Sequence, residues 1–582
     1  MEMNRLAGLE PASVFGYFEE ICSIPHGSGN TKGISDYLVR FAKEHDLAYI
    51  QDDSNNVILF QEGTCGMEYH DPVILQGHMD MVCEKNADCP LDMAVDGLNL
   101  AHDDRFVYAR GTTLGGDDGI AVAYALALLA DTSISHPPLE VVITVDEEIG
   151  MLGAADIDLS MLKGRKLINI DSEEEGVFTV SCAGGATASI TLPAERHAVY
   201  GPCIRLVVDG LQGGHSGVEI HKNRANANKV MGEFMSRIQN LMPLCLTSFS
   251  GGTKDNAIPR SCQATMVAMG MNLERINEIA SLLQAEVREQ YDEPAATVQA
   301  YDVDALGGNS LSTETTARVI GLLCAVPNGI QAWSQDIEGL VQTSLNLGVA
   351  QLGEHFRITF SVRSSVNQEK QELLQQLKTI AGFYEGTYSQ MGEYPAWEYK
   401  KDSVLRDNMV NIFVNMFDKK PEVVAIHAGL ECGLLSEKLP GLECVSIGPQ
   451  MHDIHTSREK LDIASTERTW KFLREVLKSM YYVTRKQLLP GYLTFWTRVM
   501  VANHFMSSFP MTPVRVSPAI SRLRNAAVRG RGEGTLVQTI AATLATMSAR
   551  AAFPISMSCP VVFRKRCMLS RKLIRWVIKK LA

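Results

Sequence analysis

Seven acids and one histidine between residues 78 and 171 are spaced so that they could do chemistry. His78 and Asp80 stand two apart in GHMDMV, a spacing that sends both side chains out from the same face of a strand. A carboxylate so placed can hold the imidazole N–H and fix which ring nitrogen faces a cation. Asp117 and Asp118 lie in GGDDG, where glycines let the backbone turn tightly and bring a carboxylate against a ligand. Asp146, Glu147 and Glu148 follow the apolar run VVITV, and Asp171 follows LINI. Adjacent acids repel one another, and burying even one of them is costly unless a cation compensates. Taken singly, each feature has an ordinary reading as a strand-end pair, a helix N-cap or surface acids at a helix start. Gathered in one crevice, they make a concentrated negative site for which a pair of divalent cations is the economical neutraliser.

The surrounding pattern predicts how such residues would be gathered. PVILQGHMDMV (72–82), LEVVITVDEEIG (139–150) and RKLINIDSEEEG (165–176) each read as a β-branched strand running into polar residues, and GIAVAYALALLA (119–130) reads as a buried helix. Strands alternating with helices predict an α/β catalytic domain with a largely parallel sheet, whose crevice lies at the carboxyl ends of the strands. From about Ala183 the character changes. CAGGATASITLPAERHAVYGPCIRLVVDGL reads as paired strands around a glycine-rich turn, 223–242 as an amphipathic helix, 356–366 as a strand and 368–384 as a helix. This predicts an inserted α+β lid or dimerisation domain over 184–395, between catalytic segments 1–183 and 396–487. The remaining 488–582 form a basic extension.

Charge separates the same pieces. The 582 residues carry a net charge of −13, but from Leu488 to Ala582 fifteen Lys and Arg face a single acid, Glu533, which leaves −27 on the first 487 residues. So acidic a body is poorly suited to binding nucleic acid through its phosphates and favours an enzyme or small-ligand binder. The 13 cysteines are scattered and odd in number without a metal-type CxxC pair. The N-terminus lacks the layout of a signal peptide, and there is no apolar run long enough to span a membrane. Reduced thiols in a cytoplasm are the expectation. The extension ends in FRKRCMLSRKLIRWVIKKLA, which could form a basic amphipathic helix, although the abrupt break in composition is also what a fused or shifted reading frame produces.

Seven ordered motifs, GHMDMV, TTLGGDDGIA, VDEEIGMLGA, NIDSEEEG, LQGGHSGVEI, HAGLECG and SIGPQMHDIHTS, resemble those of the M20 co-catalytic metallopeptidases, and most of all their aminoacyl-histidine dipeptidase group. The resemblance covers about residues 5 to 486. It implies that Asp117 bridges two zinc ions, one completed by His78 and Asp171 and the other by Glu148 and His455. Mn2+ or Co2+ could substitute. It also implies that Asp80 orients His78, that Glu147 is the general base, and that the Asp117–Asp118 bond is cis. His455 is preferred over His452 because the HTSRE that begins with it is similar to the family's HSPDE element. His215 would stabilise the oxyanion, a task that in M20 dimers falls to a histidine from across the subunit interface, and Asn256 and Arg363 would contact the substrate. The implied protein is a cytoplasmic homodimer that hydrolyses dipeptides such as β-Ala-His. The alternative within the family is a broader di- or tripeptidase or an amide deacylase, and outside it a metal-binding scaffold with a silent site.

Overall fold

The structure, a computed structural model, describes residues 5–480 apart from 65, 305 and 306. The expectations for 488–582 lie outside the described residues.

Two sheets organise the chain. The first has eight strands in the order Ala48–Gln51, Val57–Gln61, Leu139–Thr144, Val73–His78, Lys166–Asn169, Glu443–Ser446, Val177–Cys182, Glu422–Ile426. Its central four, from Leu139–Thr144 to Glu443–Ser446, run parallel; pairing toward Ala48–Gln51 is antiparallel, and on the other side Val177–Cys182 pairs antiparallel to Glu443–Ser446 and parallel to the edge strand Glu422–Ile426. Every residue of Val73–His78 and Leu139–Thr144 is buried, as expected of strands covered on both faces. Alternate residues serve opposite faces. Val73, Leu75, Val141 and Ile143 join Phe15, Phe18, Tyr124 and Trp470 on one side. Ile74, Val142 and Leu167 join Trp397 and Leu435 on the other. The helix predicted at 119–130 is apolar all round and buried to Leu129, the pattern of a helix with no solvent face. Each fully buried Leu, Ile or Phe here contributes roughly 1.5–3 kcal/mol through removal from water.

The second sheet is antiparallel, in the order Thr297–Val303, Cys203–Asp209, Cys262–Ala268, Leu244–Gly251, Val341–Leu352, His355–Ser364, Gly184–Pro193, Thr387–Tyr394, with Gly329–Trp333 also pairing to Val341–Leu352. Strict alternation along His355–Ser364 buries Phe356, Ile358, Phe360 and Val362 against the helices Ala227–Gln239, Leu273–Tyr291, Thr313–Ala325 and Asn367–Phe383. The run from Cys182 onward does form strands, but they do not pair with one another. Gly184–Pro193 pairs with His355–Ser364 and Thr387–Tyr394, and Cys203–Asp209 pairs with Cys262–Ala268 and Thr297–Val303. Alternation marks a strand without naming its neighbour, because partner choice depends on side-chain packing far away in sequence.

Candidate metal centre

The chemistry sits where the parallel strands end. His78 is the last residue of its strand, Asp171 lies two beyond Asn169, and Glu147 and Glu148 follow three and four beyond Thr144. In register, His78 lies opposite Thr144, and Gln76 opposite Asn169. Asp117 and Asp118 enter from the turn that starts the buried helix, with non-helical backbone and a cis peptide between them. Gly77 makes this approach possible: a Cβ there would stand 2.5 Å from Asp118 Oδ2 and 2.6 Å from Ala121 Cβ.

These elements bring the five expected ligands together. Asp117 turns one oxygen to each histidine, with His78 Nε2 3.2 Å from Oδ1 and His455 Nε2 3.1 Å from Oδ2. Asp171 Oδ1 lies 3.7 Å from His78 Nε2, and Glu148 Oε1 lies 3.0 Å from His455 Nε2. Ligand-type atoms within 4.8 Å of one another form the groups Asp117, Glu148, His455; His78, Glu147, Glu148; and His78, Asp118, Asp171. His452 faces elsewhere, its ring edge-on to Phe106.

The second tier is as ordered as the first. His78 Nδ1 lies 3.0 Å from the Asp80 main-chain oxygen and 3.5 Å from its carboxylate, so Asp80 orients the ring chiefly through its backbone. The Asp80 carboxylate instead accepts the backbone N–H groups of Glu147 at 3.1 Å and Glu148 at 3.4 Å, and the Ser28 hydroxyl at 2.8 Å. Asp146 supports the same turn. It adopts a left-handed backbone, which Asp tolerates, and accepts the Gly29 N–H at 2.6 Å.

Electrostatically the centre is short of positive charge. Among the described residues, none of Asp117, Glu147, Glu148 and Asp171 pairs with a lysine or arginine. Burial, reinforced by Asp171, Glu431 and Glu148, pushes the Glu147 carboxyl up to about 9. Burial opposes the His78 imidazolium, yet hydrogen bonds with Asp117, Asp171 and Asp80 hold its pKa well above the ordinary value. Hydrogen bonds to Asp117 and Glu148 push His455 up to about 10. An all-oxygen and imidazole donor set around one carboxylate with two outward oxygens fits a pair of divalent cations.

A second group of side chains is of opposite character. His215 stands on a two-residue strand paired with Ala257–Ile258, which brings the neighbouring Asn256 beside it, the Asn256 carbonyl accepting the Ser216 N–H at 2.8 Å. The His215 Nδ1 accepts N–H groups from Gly217 and Val218 at 3.1 and 3.3 Å, which leaves Nε2 as the protonated nitrogen of the neutral ring. Gly217 comes so near His427 that a Cβ would stand 2.9 Å from its carbonyl oxygen, so the His215 loop packs against its own chain. Arg363 donates to the Tyr394 hydroxyl at 3.3 Å, and its buried Nε has no partner. His427 meets the Ser344 hydroxyl at 2.7 Å and leaves Nδ1 unpartnered. Burial and then the Arg363 charge lower both imidazoles, His427 to about 3.

Sequence reasoning passed over Glu459. Its buried carboxylate accepts the N–H groups of Leu114, Gly115, Gly116 and Asp117 at 2.7, 3.1, 2.8 and 3.3 Å, clamping the turn that presents Asp117. Its place within HTSRE was the available signal.

Comparison with known proteins shows the family. Residues 74–479 match the peptidase family M20/M25/M40. The chain is 36% identical over 483 residues to the cytosol non-specific dipeptidase of Escherichia coli, covering 82% of this chain and 99% of that protein. It superimposes with a TM-score of 0.78 and 34% identity on the crystal structure of aminoacylhistidine dipeptidase from Vibrio alginolyticus, covering 82% and 98% of the two chains. With residues 74–479 matched and 36% identity to a relative covered almost end to end, the chain belongs to the M20/M25/M40 peptidase family.

Proposed function

We propose that the protein is a dizinc dipeptidase that prefers Xaa-His substrates such as β-Ala-His. The observation that carries the dipeptidase reading is that the chain with this acidic centre also holds Arg363, a partly buried guanidinium with no carboxylate partner among the described residues, and the Xaa-His preference rests on the name of the Vibrio relative. A free C-terminal carboxylate one residue beyond the scissile bond fits such a guanidinium bidentately.

His78, Asp171 and one Asp117 oxygen would hold one zinc, and Glu148, His455 and the other Asp117 oxygen the second. When bound, the pair supplies Lewis acidity for the scissile carbonyl and lowers the pKa of water. Glu147 takes the proton from the attacking water and passes it to the leaving amine. Asp80 fixes both the His78 ring and the Glu147–Glu148 turn. The Nε2–H of His215 donates to the developing oxyanion, and Asn256 and Arg363 hold the substrate's C-terminal half. The lid histidine then works within its own chain, in a homodimer.

The two relatives differ in name, one being called non-specific and the other aminoacylhistidine, so a broad dipeptidase is the second reading. No helix among the described residues is long and apolar enough to cross a membrane, and the named cytosolic relative supports a cytoplasmic location. The test is a dipeptide panel including β-Ala-His, Gly-His and dipeptides without histidine, assayed after chelation with zinc, manganese or cobalt restored. Faster cleavage of Xaa-His supports the first reading and uniform cleavage the second. No hydrolysis with any metal overturns both.

A further inference from the structure

Behind the ligands lies a buried polar chain that the mechanism does not use. Glu431, wholly buried, opens the helix Glu431–Lys438 and reaches the parallel sheet from 355 positions downstream of Gln76. Its Oε2 accepts the Gln76 Nε2–H at 2.5 Å and the Thr144 hydroxyl at 2.7 Å. Gln76 in turn accepts the Asn169 amide at 2.7 Å and lies 3.3 Å from Thr144. All four side chains are at most 1% exposed.

Their positions in the sheet are not arbitrary. Gln76 lies two residues before His78 on the same face, Asn169 two before Asp171, and Thr144 directly opposite His78 and three before Glu147. Gln76, Thr144 and Asn169 therefore each belong to one of the three neighbouring strands whose ends carry the catalytic groups, and Glu431 joins them from a helix. A buried carboxyl with no lysine or arginine partner among the described residues is unfavourable, and two hydrogen bonds on a single oxygen, with Oε1 left unpartnered, add little for stability alone.

We infer that Glu431 is a positioning residue for hydrolysis, which through hydrogen bonds to Gln76 and Thr144 sets the mutual register of the strand ends bearing His78, Glu147–Glu148 and Asp171. It acts as an acceptor and not through its charge. Loss of such support behind metal ligands typically costs about 10–100-fold in metal affinity or activity. This rests on the dizinc reading above.

The test uses the full chain carrying Thr144→Val, Gln76→Met or Glu431→Gln. Folding is followed by circular dichroism, zinc affinity by competition with a chromophoric chelator, and kcat and KM with β-Ala-His. Thr144→Val and Gln76→Met should melt as cooperatively as wild type, yet bind zinc about 10–100-fold more weakly and lose kcat with little change in KM. Glu431→Gln, whose carbonyl can accept both bonds, should stay within about threefold of wild type. Adding it to Gln76→Met should cost nothing more. Wild-type zinc affinity in Thr144→Val and Gln76→Met overturns the inference, as does a Glu431→Gln defect equal to theirs, which would assign the effect to charge. If wild type itself neither binds zinc nor turns over, the dizinc reading fails instead.

Discussion

Glu459 holds Asp117 by its backbone: the carboxylate that accepts the Asp117 N–H at 3.3 Å also collects the three N–H groups before it. The residue that faces both histidines is thus fixed from behind by an acid more than 340 positions away. Glu459→Gln would turn an N–H2 group toward backbone donors. Metal affinity in this variant, read by chelator competition, should fall about 10–100-fold, and wild-type affinity would show that the clamp is dispensable.

Glu147 donates no hydrogen bond to the ligand set and is the group proposed to move the proton. Glu147→Ala should therefore retain two zinc ions per chain by elemental analysis while kcat drops by about 10²–10⁴. Normal turnover would remove Glu147 from the mechanism.

Arg363 is proposed to read the substrate's carboxylate. Arg363→Met should lower kcat/KM for β-Ala-His by about 10–100-fold, the worth of a charged hydrogen bond. The same variant should cleave the C-terminally amidated substrate as well as wild type does. An equal loss on both substrates would assign Arg363 a structural role.

The His215 loop packs against His427 of its own chain, and the proposed function has this histidine serve that chain's site. Co-expressing His215→Ala with Glu147→Ala subunits should yield no more activity than the two variants alone. Substantial recovery in the mixed dimers would place the working histidine in the opposite subunit.

His427 gives stability a pH dependence of known sign. Its folded pKa, about 3, lies below the ordinary 6.5, so above pH 6.5 the imidazole is neutral folded and unfolded and contributes nothing. As pH falls below 6.5 the unfolded chain takes up a proton that the folded one refuses, and stability is lost progressively down to about pH 3. Between pH 7.5 and 5.5 the loss should be about 1.4 kcal/mol. Denaturant unfolding of His427→Gln should show a pH dependence weaker by about that amount, and identical slopes would refute it.

The centre was more legible in the sequence than the scaffold that supports it. Glu148 and Asp171 stood out because acids just after a β-branched run are unusual wherever the strand is buried, His78 through its two-residue spacing from Asp80, and Asp117 through its flanking glycines. Glu431 and Glu459 did not, since a lone glutamate in a short helix or loop looks like an ordinary surface acid until its partners are known. The order of the antiparallel sheet was hidden for a related reason. Gly184–Pro193 displays a strand's alternation, while its partners begin at His355 and Thr387, and nothing local selects them. The role of Asp80 shifted too, from a side chain holding His78 to a carboxylate receiving the Glu147–Glu148 turn.

The order of ligands along the chain has a consequence for biogenesis. His78, Asp117, Glu148 and Asp171 leave the ribosome before the whole antiparallel sheet, whereas His455 and its neighbour Glu459 leave after it. On the dizinc reading, a nascent chain at that stage carries four of the proposed ligands but neither His455 nor the clamp on Asp117. On that reading, synthesis order alone would keep the peptidase silent until the second sheet has been made.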